Sequence, residues 1–322
     1  MPEPLRVLIH NAETQSLARD LHSRFPDVEV GECNTYEALP LALETFRPDV
    51  VYTVRFDGSP GYPRDALMSS PGLRWIANGG AGTDHLGKWD TSRVTVTNAA
   101  GVAADMMAEY VIGGFLHFML DVPGLQIDQK EQIWRDRFVR PMKGKTLLVV
   151  GLGHTGRAIA ERAKAFGMTV LGTRAHPVEM EHADEVFAAE DLHMVLPRAD
   201  FISISTPLTQ QTKSSFGVAE FDAMKSGVIF ADVSRGGVVD QSALFEALTS
   251  GKVAAAVLDV FEVEPLPADS PFWTMGNVLM SPHCSSVFEG WEQASFNLFL
   301  NNLERWIDGH DLINVVDPDR GY

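Results

Sequence analysis

The 322-residue chain predicts an α/β protein of two doubly wound domains with parallel sheets. Three observations predict it. The length exceeds what one hydrophobic core usually serves, roughly 250–300 residues. Short apolar, β-rich runs recur at 5–9, 50–54, 73–76, 146–150, 169–171, 201–205, 228–231 and 254–258, with helix-like segments between them. Continuous apolar strands alternating with helices imply parallel sheets covered on both faces. Finally, a glycine pattern opens a second series of strands after a first series has ended.

In chain order, the first strands belong to residues 1–100. Residues 102–120 read as a long helix, apolar nearly all round and therefore buried. A polar stretch containing Trp134 follows, over 126–145. The second strand series runs to about 287. Residues 288–307 then form a helix whose Trp291, Phe296, Phe299, Leu300, Leu303 and Trp306 make one wide apolar stripe, suited to packing back onto the first domain. The predicted division is 1–100 plus 288–322 for one domain and 101–287 for the other.

Composition narrows the function classes. Hydrophobic residues make up 45% and charged residues 21%, and the net charge is −17, a balance that repels nucleic acid and anionic membrane. The most apolar stretch, 106–120, carries Glu109 and His117 and is shorter than the ~20 residues that span a bilayer. Cys33 and Cys284 cannot build a disulfide framework, which fits a reducing cytoplasm. Cys284 reads as a small buried residue. The spacing of His176 and His182 is not that of two metal ligands on one helix face, so no metal is expected.

Gly151-Leu-Gly153-His-Thr-Gly156 follows an apolar strand and opens a helix with Ile159, Ala163 and Phe166 on one face, ended by Gly167. This is the context in which a GxGxxG binds a dinucleotide: tight turn, close approach to pyrophosphate, close helix–strand packing, and a helix N-terminus facing the anion. The next strand ends in Gly172-Thr173-Arg174-Ala175-His176-Pro177. No carboxylate is in reach of a ribose 2′-hydroxyl, whereas Arg174 and Thr173 suit a 2′-phosphate. The expectation is NADP(H) in preference to NAD(H), with NAD(H) use possible.

Three later segments carry a resemblance: Asp232-Val-Ser-Arg235-Gly-Gly-Val-Val-Asp240, Leu258-Asp259-Val-Phe-Glu-Val-Glu264-Pro, and Ser281-Pro-His283-Cys-Ser-Ser286. With the glycine motif and Pro207-Leu-Thr-Gln-Gln-Thr212, they resemble the D-isomer-specific 2-hydroxyacid dehydrogenases over about residues 73–305, most nearly the glyoxylate/hydroxypyruvate reductase branch. The resemblance implies a Rossmann dinucleotide domain, a flavodoxin-like substrate domain, an active site between them and a homodimer using the 102–120 helix and the Trp134 arm. It implies His283 as general acid, Glu264 as its partner carboxylate and Arg235 as the anchor of a small 2-oxo or 2-hydroxy acid. A histidine titrating near neutrality and a planar guanidinium suit those tasks. Asp259 would position the nicotinamide amide. Gly151, Gly153, His154, Thr155, Gly156, Thr173, Arg174, Thr206, Pro207, Thr212, Val233, Ser234 and Ser286 would line the cofactor. In Asn78-Gly79-Gly80-Ala81-Gly82-Thr83, the Ala81 and Gly82 N–H groups would bind the substrate carboxylate, and Arg55 would reach the substrate's far end.

Singly, each residue has a structural reading: a turn arginine, a strand-ending glutamate, an exposed histidine. Their joint order favours catalysis. Departures from the family pattern are His154-Thr155 for the common Arg-Ile, Thr206 where His is frequent, and Asp232 where Asn is usual. The rival readings are a dinucleotide-sensing, corepressor-like protein without turnover and an NAD-preferring D-lactate-type dehydrogenase.

Overall fold

The computed structural model describes residues 4–55 and 61–320. They divide into two compact units, one running up to Val102 and resuming at Glu289, the other spanning Ala103–Phe288.

The first unit is built on five parallel strands: β1 (Arg6–His10), β2 (Glu29–Cys33), β3 (Val50–Thr53), β4 (Trp75–Asn78) and β5 (Thr95–Thr97), in the order β2-β1-β3-β4-β5. That is the flavodoxin-like order. β1 and β3 are buried along nearly their whole length because sheet neighbours flank both edges and helices cover both faces. The helix Trp291–Ile307 returns to this sheet, and its Phe296, Phe299, Leu300 and Leu303 share a core with Val7, Ile9, Tyr52 and Trp75. Tyr52 packs edge-on to Phe296 at 5.1 Å, and Trp75 stacks with Trp306 at 5.5 Å.

The second unit carries seven parallel strands: β6 (Thr146–Val150), β7 (Thr169–Arg174), β8 (Glu185–Ala188), β9 (Phe201–Ile204), β10 (Val228–Asp232), β11 (Val253–Leu258) and β12 (Val278–Met280). Their order is β12-β11-β10-β9-β6-β7-β8, the doubly wound dinucleotide order extended by one strand. Neighbouring β6 and β9 mark the point where strand order reverses, and the ends of β9, β10 and β11 lie in register there: Asp232 pairs with Ile204 and with Leu258.

Three expectations need correction. The helix Ala104–Met119 is not buried all round; Ala108, Val111, Ile112, Gly114, Phe115 and Met119 face the core while Met106 and Glu109 are exposed. Gly114 sits where a Cβ would lie 2.5 Å from Val257, so this helix approaches β11 through a residue without a side chain. The polar stretch begins inside a helix, Val122–Glu131, capped by the Asp121 carboxylate. Phe166 caps the His154–Ala165 helix and is exposed rather than on its buried face, because Gly167 (φ +73°) turns the chain there.

No single helix among the described residues is long and apolar enough to cross a membrane. No group of three His, Cys, Asp or Glu side chains among them is placed to hold a metal ion.

Candidate active site and cofactor cradle

The glycine turn folds as its three functions require. Gly151 has φ +99°, and its N–H donates to the Thr173 carbonyl at 3.1 Å. A Cβ on Gly156 would stand 2.0 Å from the Gly151 carbonyl oxygen, so only glycine lets the helix start so near the strand. Around Gly153, by contrast, a Cβ would meet nothing within 4 Å. That open face at a helix N-terminus is where backbone N–H groups can receive an anion. The Thr206 hydroxyl, beside Gly151, is buried with no hydrogen-bond partner among the described residues, an orphan that a ligand would satisfy. These features fit a dinucleotide.

Other residues expected around the cofactor also make contacts within the protein. Thr212 Oγ1 donates to the Pro207 carbonyl at 2.6 Å and accepts from Thr209 N at 2.7 Å, so it closes its own loop rather than facing outward. Thr173 is buried and acts through its carbonyl, which also receives Leu152 N–H. Thr155 Oγ1 lies 3.6 Å from the Met107 sulfur, and His154 is exposed with Nδ1 3.3 Å from Arg157 Nη2. Arg174 ends β7 half-buried, with Nη1 3.2 Å from the Met180 sulfur and no carboxylate paired with it among the described residues.

The three residues expected to do chemistry converge. His283 Nδ1 lies 2.8 Å from Glu264 Oε2. A carboxylate only accepts, so Nδ1 carries the hydrogen and Nε2 is left for a ligand. Burial raises Glu264, but the bonds from His283 and from Phe261 N–H, with the charges of His283 and Arg235, outweigh it and hold the carboxyl below its ordinary range. The same Phe261 segment backs the Arg235 turn: a Cβ on Gly236 would stand 1.9 Å from the Phe261 oxygen. Val233 and Ser234, which lead into that turn, are buried. Arg235 is half-buried, its Nη1 donating to the Ser234 carbonyl at 2.8 Å.

His283 has φ +52°, an uncommon conformation for a residue with a side chain. Asp259 holds it there. The Asp259 carbonyl receives His283 N–H at 2.8 Å, and Oδ1 accepts from Ser281 Oγ (2.6 Å), Cys284 N (2.8 Å) and Ser285 N (3.0 Å). Oδ2 accepts from Ser285 Oγ. Asp259 thus fixes the loop that presents the histidine, and Ser286 follows it half-buried. Sequence reasoning missed Ser281, Ser285 and Tyr110, whose hydroxyl donates to Ser281 Oγ at 2.7 Å and ties the loop to the Ala104–Met119 helix. A tyrosine on an apolar helix carried no signal for that. Cys284 is exposed rather than buried as a residue, yet the partial burial of its sulfur, followed by the Asp259 charge, pushes its thiol up, away from nucleophilic reactivity.

In the first unit, the loop after β4 is held by its carbonyls. Ser295 Oγ donates to Gly79 O (2.7 Å), Asn78 Nδ2 to Gly80 O (2.7 Å) and Gly82 O (3.0 Å), and Asn98 Nδ2 to Ala81 O (2.7 Å). No described residue accepts from the N–H groups of Ala81 or Gly82, so the loop offers donors for an anion. Arg55, exposed after β3, is close enough for its charge to add to the burial that lowers His85 to about 4.

The sequence model described as D-isomer specific 2-hydroxyacid dehydrogenase, NAD binding domain, matches residues 112–285. A D-3-phosphoglycerate dehydrogenase from Methanocaldococcus jannaschii is 33% identical over 90% of this chain and 55% of its own length. Over the first curated relatives it matches, the chain spans about half their length. A glyoxylate reductase from Aeropyrum pernix is 33% identical over 94% of this chain and 93% of its own. The crystal structure of a D-isomer specific 2-hydroxyacid dehydrogenase from Xanthobacter autotrophicus Py2, in complex with NADPH and MES, superposes with a TM-score of 0.83 at 30% identity, covering 99% of this chain and all of that one. On these matches and on its two parallel sheets, the chain belongs to the D-isomer specific 2-hydroxyacid dehydrogenase family.

Proposed function

We propose that the protein reduces small 2-oxo acids to 2-hydroxy acids, with glyoxylate and hydroxypyruvate as the substrate type and NADP(H) preferred over NAD(H). The observation that carries the reading is the His283–Glu264 bond on Nδ1, which leaves Nε2 to hand a proton to the carbonyl oxygen. Arg235 anchors the substrate carboxylate and polarises the carbonyl. Glu264 accepts Nδ1–H throughout and so fixes the ring's tautomer and orientation. The bound nicotinamide cofactor supplies the hydride. Gly151, Gly153 and Gly156 and the orphaned Thr206 hydroxyl are the groups to hold it, and Asp259 keeps the His283 loop in place beside it. In the first unit, the Ala81 and Gly82 amides are donors suited to a carboxylate, and Arg55 is suited to a polar 3-substituent.

Cofactor preference rests on Arg174 at the end of β7, with no carboxylate paired to it among the described residues. Substrate type rests on the glyoxylate reductase among the relatives and on Arg55. A homodimer is the assembly we infer: Trp134 and Phe138 stand fully exposed on an arm that Arg137 pins to Asp128 and Asp121, and a second copy would cover them. The reading calls on no metal; the net charge of −17 speaks against nucleic acid or membrane partners, and the cysteine pattern agrees with a cytoplasmic location.

The test is loss of NADPH or NADH absorbance with glyoxylate, hydroxypyruvate and phenylpyruvate. The expected outcome is turnover with the first two, faster with NADPH, with Arg174→Asp reversing the cofactor order. Cofactor binding without turnover on any of them would favour a sensor instead, and an NADH preference would overturn the role of Arg174.

A further inference from the structure

Asp232 takes no part in the mechanism above, yet it is a buried acid at the end of β10, three residues before Arg235. Its Oδ1 accepts from Ser234 N at 3.0 Å and from Ser234 Oγ at 2.5 Å. The side chain of residue i thus holds residue i+2, the geometry of an Asx turn. Arg235 comes next in the chain, and Gly236 after it abuts Phe261. The arginine turn is therefore clamped on both sides, by Asp232 through Ser234 and by Phe261 through Gly236.

The charges facing Asp232 are few. β9 brings Ile204 alongside, which is uncharged, and β11 brings Leu258 followed by Asp259. The turn brings Arg235. Burial pushes the Asp232 carboxyl up to about 7; the two Ser234 bonds resist, Asp259 adds to the rise, and Arg235 opposes it.

We propose that Asp232 is a positioning residue for Arg235, holding its turn as a neutral carboxyl, and that once ionised its charge offsets the pull of that guanidinium on the substrate carboxylate. The inference rests on the reading of Arg235 as the carboxylate anchor. Its consequence falls on KM: affinity for the oxo acid weakens as pH rises through neutrality, while kcat does not depend on the Asp232 charge.

Asp232→Asn keeps an acceptor for Ser234 and cannot ionise. The experiment measures KM and kcat for glyoxylate with NADPH from pH 5.5 to 8.5, and oxamate binding to the NADPH-loaded enzyme by fluorescence over the same range. The wild type is expected to lose roughly fivefold more affinity across the range than Asp232→Asn, with kcat profiles that superimpose. Superimposed affinity profiles would overturn the proposal, provided Arg235→Ala has lost oxamate binding. Oxamate binding unchanged in Arg235→Ala would sink the anchor reading itself, a distinguishable failure. Should Asp232→Asn not fold, Ser234→Ala serves: removing a donor that favours the ionised form moves the affinity loss to higher pH, and an unmoved profile would overturn the proposal.

Discussion

The two units present their candidate functional groups in opposite ways. The second does so with side chains on short, rigid segments: Arg235 clamped between Asp232 and Phe261, Glu264 bonded to both Phe261 and His283, and His283 fixed by the loop around Asp259. The first does so with backbone: Asn78, Asn98 and Ser295 seize the carbonyls of the loop after β4, and no described residue accepts from its Ala81 and Gly82 amides. A side-chain site is written in residue types. A backbone site is written in the distant residues that pin it, two of which, Asn98 and Ser295, lie well away in the chain.

The comparison breaks most sharply at His283. His283→Ala is expected to lower 2-oxo acid reduction by about 10²–10⁴-fold, while NADPH binding by fluorescence stays within about threefold, since the glycine cradle is untouched. Near-wild-type turnover would remove the histidine from the mechanism and leave the second unit as cofactor binder alone.

A smaller effect separates the units by pH. In the first, His10 and His85 are lowered to about 4, chiefly by burial. The unfolded chain protonates them below about 6.5 while the folded one does not, so their contribution is present above 6.5 and lost as pH falls toward 4. In the second, Asp232 is raised to about 7. The folded chain keeps a proton that the unfolded one has released, so its contribution is present below about 4 and lost as pH rises through 7. Urea unfolding should therefore show Asp232→Asn gaining on the wild type as pH rises from 5 to 8. His85→Gln should show less loss than the wild type as pH falls from 6.5 to 4.5. A difference of the opposite sign in either variant would mean that its buried group is charged otherwise.

Legibility followed the same physics. All eight strands expected from apolar runs exist. The four that were missed, β2, β5, β8 and β12, are the edges of the two sheets. An edge strand is covered less, so it need not be continuously apolar: β2 reads Glu-Val-Gly-Glu-Cys and β8 Glu-Val-Phe-Ala. The glycine turn and the His283–Glu264 contact were readable because few sequences meet those steric and chemical demands. The tasks of Thr212 and Asp259 were not, because a hydroxyl or carboxylate serves a loop as readily as a ligand, and only the partners tell. Asp232 stood out as an unexpected acid, but its burial and its hold on Ser234 needed the fold.

The central claim is that His283 and Glu264 act as one proton-handling unit. A double-mutant cycle in single-turnover glyoxylate reduction, using His283→Ala, Glu264→Gln and the pair in NADPH-loaded enzyme, tests it most directly. Acting as a unit, the two should give a double variant no slower than His283→Ala alone. A double variant slowed by the product of the two single effects would contradict it.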